Sequence, residues 1–186
     1  MSLSMEEFGS EISHRVVPCT MFPWMEGSSF TAAAMTERLG LELESIEAGD
    51  QFAAVNNIDS PVQWLRDVFD LMPTGTDEDW SNIASRLAGM PRAVGGYVET
   101  LREGIARGIV PARRAVTDVA AQATALAGEK SRFRQLAAES GREGTLGAEL
   151  QRAAELARGA FGDLARFLTQ DLAPVAREAD AVGRER

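Results

Sequence analysis

Residues 56–91 read NNIDSPVQWLRDVFDLMPTGTDEDWSNIASRLAGMP, and this stretch decides the fold class. Ser60 precedes Pro61, an N-cap residue followed by proline at the first helical position, where the missing N–H is not needed. A short helix is expected from there through Phe69 to Leu71. Pro73-Thr74-Gly75 is a turn. Thr76 then caps a new helix whose first turn carries Asp77, Glu78 and Asp79, acids placed at the positive end of the helix dipole. Trp80, Ile83, Leu87 and Met90 recur at three- and four-residue steps and form its buried face.

The helical pattern continues on both sides. Upstream, Met35, Leu39, Leu43 and Ile46 form one apolar row, and Leu41, Ala48, Phe52 and Val55 form a second. A helix apolar on two sides is buried on two sides, so a central helix is expected over 31–56, broken at Asn56-Asn57. Downstream, Pro91 opens a helix lined by Val94, Val98, Leu101 and Ile105. Gly95, Gly96 and Gly104 each weaken it by about 1 kcal/mol relative to Ala, which suggests a tight helix crossing at all three. Gly108 ends that helix, and Pro111 begins the next, with Ala112, Ala115, Val119, Ala123 and Leu126 facing inward. A weaker helix follows over 129–140. The cleanest amphipathic stripe is Leu146, Leu150, Ala153, Ala157, Ala160, Leu164 and Leu168, closed by Pro174; its span predicts a rod of about 39 Å. No segment alternates long enough to be a strand. The expected fold is all-α, a multi-helix bundle of six or seven helices joined by short loops. Residues 1–30 have no period and read as an irregular N-terminal arm, leaving 31–186 as the helical domain. Within that arm Phe22-Pro23-Trp24-Met25 either tucks back onto the body or contacts a partner.

Composition narrows the function classes. With 186 residues, 45% apolar and 25% charged, the chain is an ordinary globular protein that needs neither disulfide nor metal to fold. Acids outnumber bases 28 to 19, for a net charge of −9. Phosphate neutralisation needs the opposite sign, so no nucleic acid partner and no anionic membrane surface are expected. No apolar run is long enough to span a bilayer, and Glu6, Glu7 and Glu11 stand where a signal peptide forbids acids. Cys19 is the only cysteine, which suits a reducing compartment; a cytoplasmic location is the expectation.

Chemistry finds little to work with. A catalytic zinc takes about three side-chain ligands, and His14 is the only histidine. No HExxH motif is present. Cys19 lies near His14, but an irregular arm is a poor place to hold a nucleophile and base in register. Glu37, Glu42, Glu44 and Glu47 share one helix and lack the histidines of a helical di-metal site; a solvated face explains them. Asp77, Glu78 and Asp79 are explained as first-turn acids. Val94-Gly95-Gly96 lacks the spacing and the Lys of a phosphate loop. Arg113-Arg114 could bind an anion, though a contact from Arg114 to Asp118 one turn on occupies one of the pair. No catalytic, cofactor-binding or metal-binding residue is assigned, and no cofactor is expected.

Several blocks carry a family resemblance. They are Arg38-Leu39-Gly40-Leu41-Glu42, the run Asn56 to Gln63, Asp67 to Pro73, Glu78 to Leu87, Gly96-Tyr97, Pro111 to Arg114 and the closing Asp180 to Arg186. Together they resemble a bacterial family catalogued as domain of unknown function eight-eight-five. The resemblance covers residues 35–186 and departs from the family pattern upstream of 35. Members of that family look like longer, mostly helical zinc peptidases or carboxypeptidases of the HExxH type, with the metal motif far downstream. The resemblance thus implies an N-terminal helical part, truncated ahead of the metal ligands and inactive alone. The partner would be the remainder of a larger protein, with self-association as a free-standing interaction module the alternative.

Overall fold

The computed structural model describes residues 26–180, with side chains from residue 31 onward. The chain divides into two compact units, Met1–Glu47 and Ala48–Arg186. The described part of the first is a helix, α1 (Glu26–Ala48), which starts ahead of the expected boundary at residue 31. The remainder of the expected arm, with His14, Cys19 and Phe22-Pro23-Trp24-Met25, lies outside the described residues, as do residues 181–186.

The helical body contains α2 (Pro61–Asp67), α3 (Asp77–Ala88), α4 (Met90–Arg107), α5 (Arg113–Ala127), α6 (Arg132–Glu139) and α7 (Gly144–Phe167). The all-α class expected from the sequence is the class observed. Five of these helices, α1 included, run for twelve residues or more, while α2 and α6 are short. Among the described residues there is no strand, only an isolated parallel bridge between Ala112 and Arg177.

The centre of the body is α7, which packs against α3, α4, α5 and α6. Its stripe of Leu150, Ala153, Ala157, Ala160 and Leu164 is buried, but so are Ala154, Phe161 and Ala165 beside it. Alanines let neighbouring helices come close on several sides at once. Phe161 and Phe133 of α6 meet with ring centroids 5.2 Å apart, and Phe69 meets Phe133 edge-on at 6.0 Å, the edge-to-face and tilted arrangements that aromatic quadrupoles favour. Past Phe167 the helix widens into a π-turn over Leu168–Leu172, with both leucines buried.

The expected central helix over 31–56 is corrected at both its end and its burial. Gly49 adopts the left-handed conformation at φ 82° and stops α1 there, as glycine past a helix C-terminus commonly does. A 3-10 turn, Asp50–Ala53, follows. Met35, Leu39, Leu41, Leu43 and Ile46 are all exposed, Leu41 at 62%. Phe52 and Val55 are not helical partners of that row. Val55 is buried, and the Arg107 guanidinium lies 4.5 Å from the centre of the Phe52 ring.

The decisive stretch behaves mostly as expected. Thr76 and Asp79 form a reciprocal capping box: the Asp79 N–H donates to Thr76 Oγ1 at 3.1 Å and the Thr76 N–H to Asp79 Oδ2 at 2.9 Å. Trp80, Ile83, Leu87 and Met90 are buried. Ser60 stands at the N-cap position but makes no side-chain cap. Its hydroxyl donates to Gln63 Oε1 at 2.6 Å instead. Gln63 Nε2 donates to Gln122 Oε1 at 2.6 Å, and Gln122 Nε2 to the Asn57 carbonyl at 2.9 Å. This amide relay fixes the loop before α2 onto α5. Nearby, the Tyr97 hydroxyl donates to the Ala54 carbonyl at 2.7 Å, and burial pushes its phenol well above the ordinary value.

The end of the described chain is clasped to the start of α5. The Arg113 N–H donates to the Arg177 carbonyl at 2.8 Å, and the Arg177 N–H to the Pro111 carbonyl at 3.0 Å. Arg113 Nε donates to the Ala173 carbonyl at 3.2 Å. Arg114 pairs with Asp180 at 3.1 Å rather than with Asp118, because the returning segment places a carboxylate beside it.

Candidate functional site

An open groove of about 550 Å³ runs between α4 and α7. Both helices are long and strongly amphipathic, and their buried edges meet beneath it. Val94, Ala160 and Phe167 form its apolar floor and are buried, while Leu156 on the α7 side is 47% exposed. The groove is wide because two glycines face it, Gly95 on α4 and Gly159 on α7. A Cβ built on either would have no neighbour within 4 Å. This corrects the expectation of a tight crossing at Gly95, Gly96 and Gly104. Only Gly104 is in such a crossing, where a Cβ would lie 2.5 Å from the Phe52 carbonyl oxygen and 2.8 Å from that of Ile109.

Charge is distributed along the rim. Glu99 and Arg102 come from α4, and Glu155, Asp163, Arg166 and Asp171 from α7 and the π-turn after it. Both arginines are engaged: the Arg102 guanidinium sits 5.3 Å from the centre of the Phe167 ring, and Arg166 pairs with Asp163 at 2.6 Å. Glu155 is held by Arg134 at 2.5 Å and by Arg158 at 2.5 Å. Hydrogen bonds from these guanidiniums, Arg134 first, hold its carboxyl below the ordinary range. Arg158 also closes the C-terminus of α5, donating to the Ala127 carbonyl at 2.8 Å, where a cation is favoured. Among the described residues Glu99 and Asp171 are the acids of the rim that form no ion pair. Among the described residues no hydroxyl, thiol or imidazole lines the groove, so they offer a surface for binding and no nucleophile with a base beside it.

The residues weighed from the sequence are dispersed. Glu42 pairs with Arg38 on α1 at 3.1 Å. Asp79 belongs to the capping box, and hydrogen bonds from the Thr76 hydroxyl and backbone lower its carboxyl. Asp77 meets Arg142 at 3.2 Å. Gly95 and Gly96 lie inside α4 rather than in a loop. Among the described residues no group of three or more His, Cys, Asp or Glu is gathered closely enough to hold a metal ion. Among them, too, no helix is long and apolar enough to cross a membrane. Sequence reading missed the groove, because its signal, one glycine on each of two helices far apart in the chain, appears only once α4 and α7 are paired.

An all-α body with an acid-rimmed apolar groove is the class that fold and site define. The chain belongs to the family described as bacterial protein of unknown function (DUF885), whose profile matches residues 24–186. The match begins upstream of the expected boundary at residue 35, so the first turns of α1 are part of the family pattern. No curated protein matches the chain.

Proposed function

We propose that this chain is the helical, non-catalytic part of a metallopeptidase-like protein, walling a substrate cleft whose metal is held by sequence outside these residues. What supports the reading is the family membership together with the poverty of donors. The sequence has one histidine, and among the described residues no three donors gather, whereas a catalytic zinc takes about three ligands. The test is hydrolysis of a fluorogenic peptide mixture by the purified 186-residue chain with added zinc. No chelator-sensitive turnover is expected; turnover abolished by chelator and restored by zinc would overturn the proposal. Sequencing the gene past codon 186 is the second test, with an in-frame continuation carrying HExxH expected and a stop codon counting against it.

A second reading, a self-associating helical module, is favoured by one observation. Met35, Leu39, Leu43 and Ile46 lie on one face of α1 and are exposed together, and apolar rows of this kind mark association surfaces. Light scattering that reports a monomer at high concentration would remove it.

A further inference from the structure

We infer that the groove between α4 and α7 is a docking site for an amphipathic helix with an apolar face flanked by lysine or arginine. Length comes first. The α7 side runs from Glu155 to Phe167, which at about 1.5 Å per residue is about 18 Å, a little over three helical turns. Shape follows from the glycines. Gly95 and Gly159 place one position without a side chain on each wall, so at those two points an incoming helix can lie against backbone, the arrangement in which helices approach most closely. Neither glycine has a neighbour in the body that demands its absence of side chain, and a mid-helix glycine lowers helix stability by about 1 kcal/mol relative to Ala.

Charge selects the partner. Glu155, Asp163 and Arg166 are paired within the body and Arg102 stacks on Phe167, while among the described residues Glu99 and Asp171 on the rim form no ion pair, so the unpaired acids of the rim outnumber its one unpaired arginine. An occupant with flanking Lys or Arg completes both; one with flanking acids places like charges together, and rim charges chiefly set which partner is accepted. A second copy of this chain is the wrong occupant on this ground. Its exposed apolar helix, α1, carries Glu37, Glu42, Glu44 and Glu47 against Arg38 alone among the residues whose side chains are described, and the whole chain has a net charge of −9.

The experiment titrates the full chain into a fluorescein-labelled helical peptide of about four turns, leucine and alanine on one face and lysine on both flanks, followed by anisotropy. A control peptide keeps the apolar face and carries glutamate on the flanks. The lysine peptide is expected to bind at least tenfold more tightly than the control, and more weakly as salt rises. Gly159→Leu and Gly95→Leu fill the groove and are expected to reduce its binding at least tenfold with helical circular dichroism and melting temperature undiminished. The pair Glu99→Lys with Asp171→Lys, both on the surface, keeps the test alive should a glycine variant misfold, and is expected to invert the preference between the two peptides. Equal binding of both peptides, or lysine-peptide binding untouched by Gly159→Leu and by the charge reversal, overturns the inference. So does a concentration-dependent dimer that Gly159→Leu dissolves, since the occupant is then another copy.

Discussion

The helices α1 and α7 are nearly the same length, 23 and 24 residues, and both carry an apolar row at helical spacing. The row on α1 has the larger side chains, Met35, Leu39, Leu43 and Ile46, and it is exposed. The row on α7 has alanine at its middle, Ala153, Ala157 and Ala160 between leucines, and it is the centre of the body, buried beyond the width of its own stripe. Periodicity reports which residues share a face. It does not report what covers that face, and small side chains in the middle of a row can admit four neighbouring helices and bury a helix on several sides.

The comparison can be broken by stability measurements. The largest effect is expected on α7: Phe161→Ala removes a fully buried ring packed on Phe133 and should cost about 3–5 kcal/mol in urea unfolding. A loss of similar size from Leu39→Ala on α1 would show that the two rows are equivalent after all. Next comes the contrast within α4. Gly104→Ala forces a methyl against two carbonyl oxygens and should cost about 1–3 kcal/mol, whereas Gly95→Ala faces open space and should gain up to about 1 kcal/mol. Calorimetric melting of the two variants separates a crowded glycine from an open one.

A smaller change is expected at the start of α3. Thr76→Ala removes the cap and should cost about 1 kcal/mol. It should also flatten part of the acid limb of the stability profile. The Asp79 carboxyl is lowered from its ordinary value of 3.8 in the folded chain. Its contribution is therefore complete above that value and lost as pH falls through the lower folded value. Melting temperature against pH for wild type and Thr76→Ala should converge in that acid window; parallel curves would assign the acid sensitivity elsewhere. The smallest effect is reserved for α1, where Leu39→Ser and Leu43→Ser should each change unfolding free energy by less than about 0.5 kcal/mol.

Much of the fold was legible because local signals dominated. Thr76 with Asp79, Pro91 at a helix start and Gly108 at a helix end each act within one turn, and each is found where the sequence puts it. Failures came where a distant partner decided the outcome. Ser60 has the identity of a cap, but instead of accepting from a helix N–H its hydroxyl donates to Gln63, itself held by Gln122. Trp64 and Trp80 are equal in composition, yet Trp80 is buried and donates to the Thr74 carbonyl, while Trp64 is 58% exposed and bonded to Asp59. Gly95 and Gly104 are indistinguishable in sequence, and only the backbone of Phe52 and Ile109 makes one of them obligatory. The groove was hidden for the same reason: no local window contains both of its walls.

The clasp between Pro111, Arg113 and Arg177 has a consequence for proteolysis. A trypsin-like enzyme must draw the backbone around its target arginine into an extended cleft and pair with the same amide groups. At Arg177 those groups are already committed, the N–H to Pro111 and the carbonyl to Arg113. Cleavage there must wait for the segment to peel off α5, so the digestion rate at this bond measures how often the returning chain leaves the start of that helix.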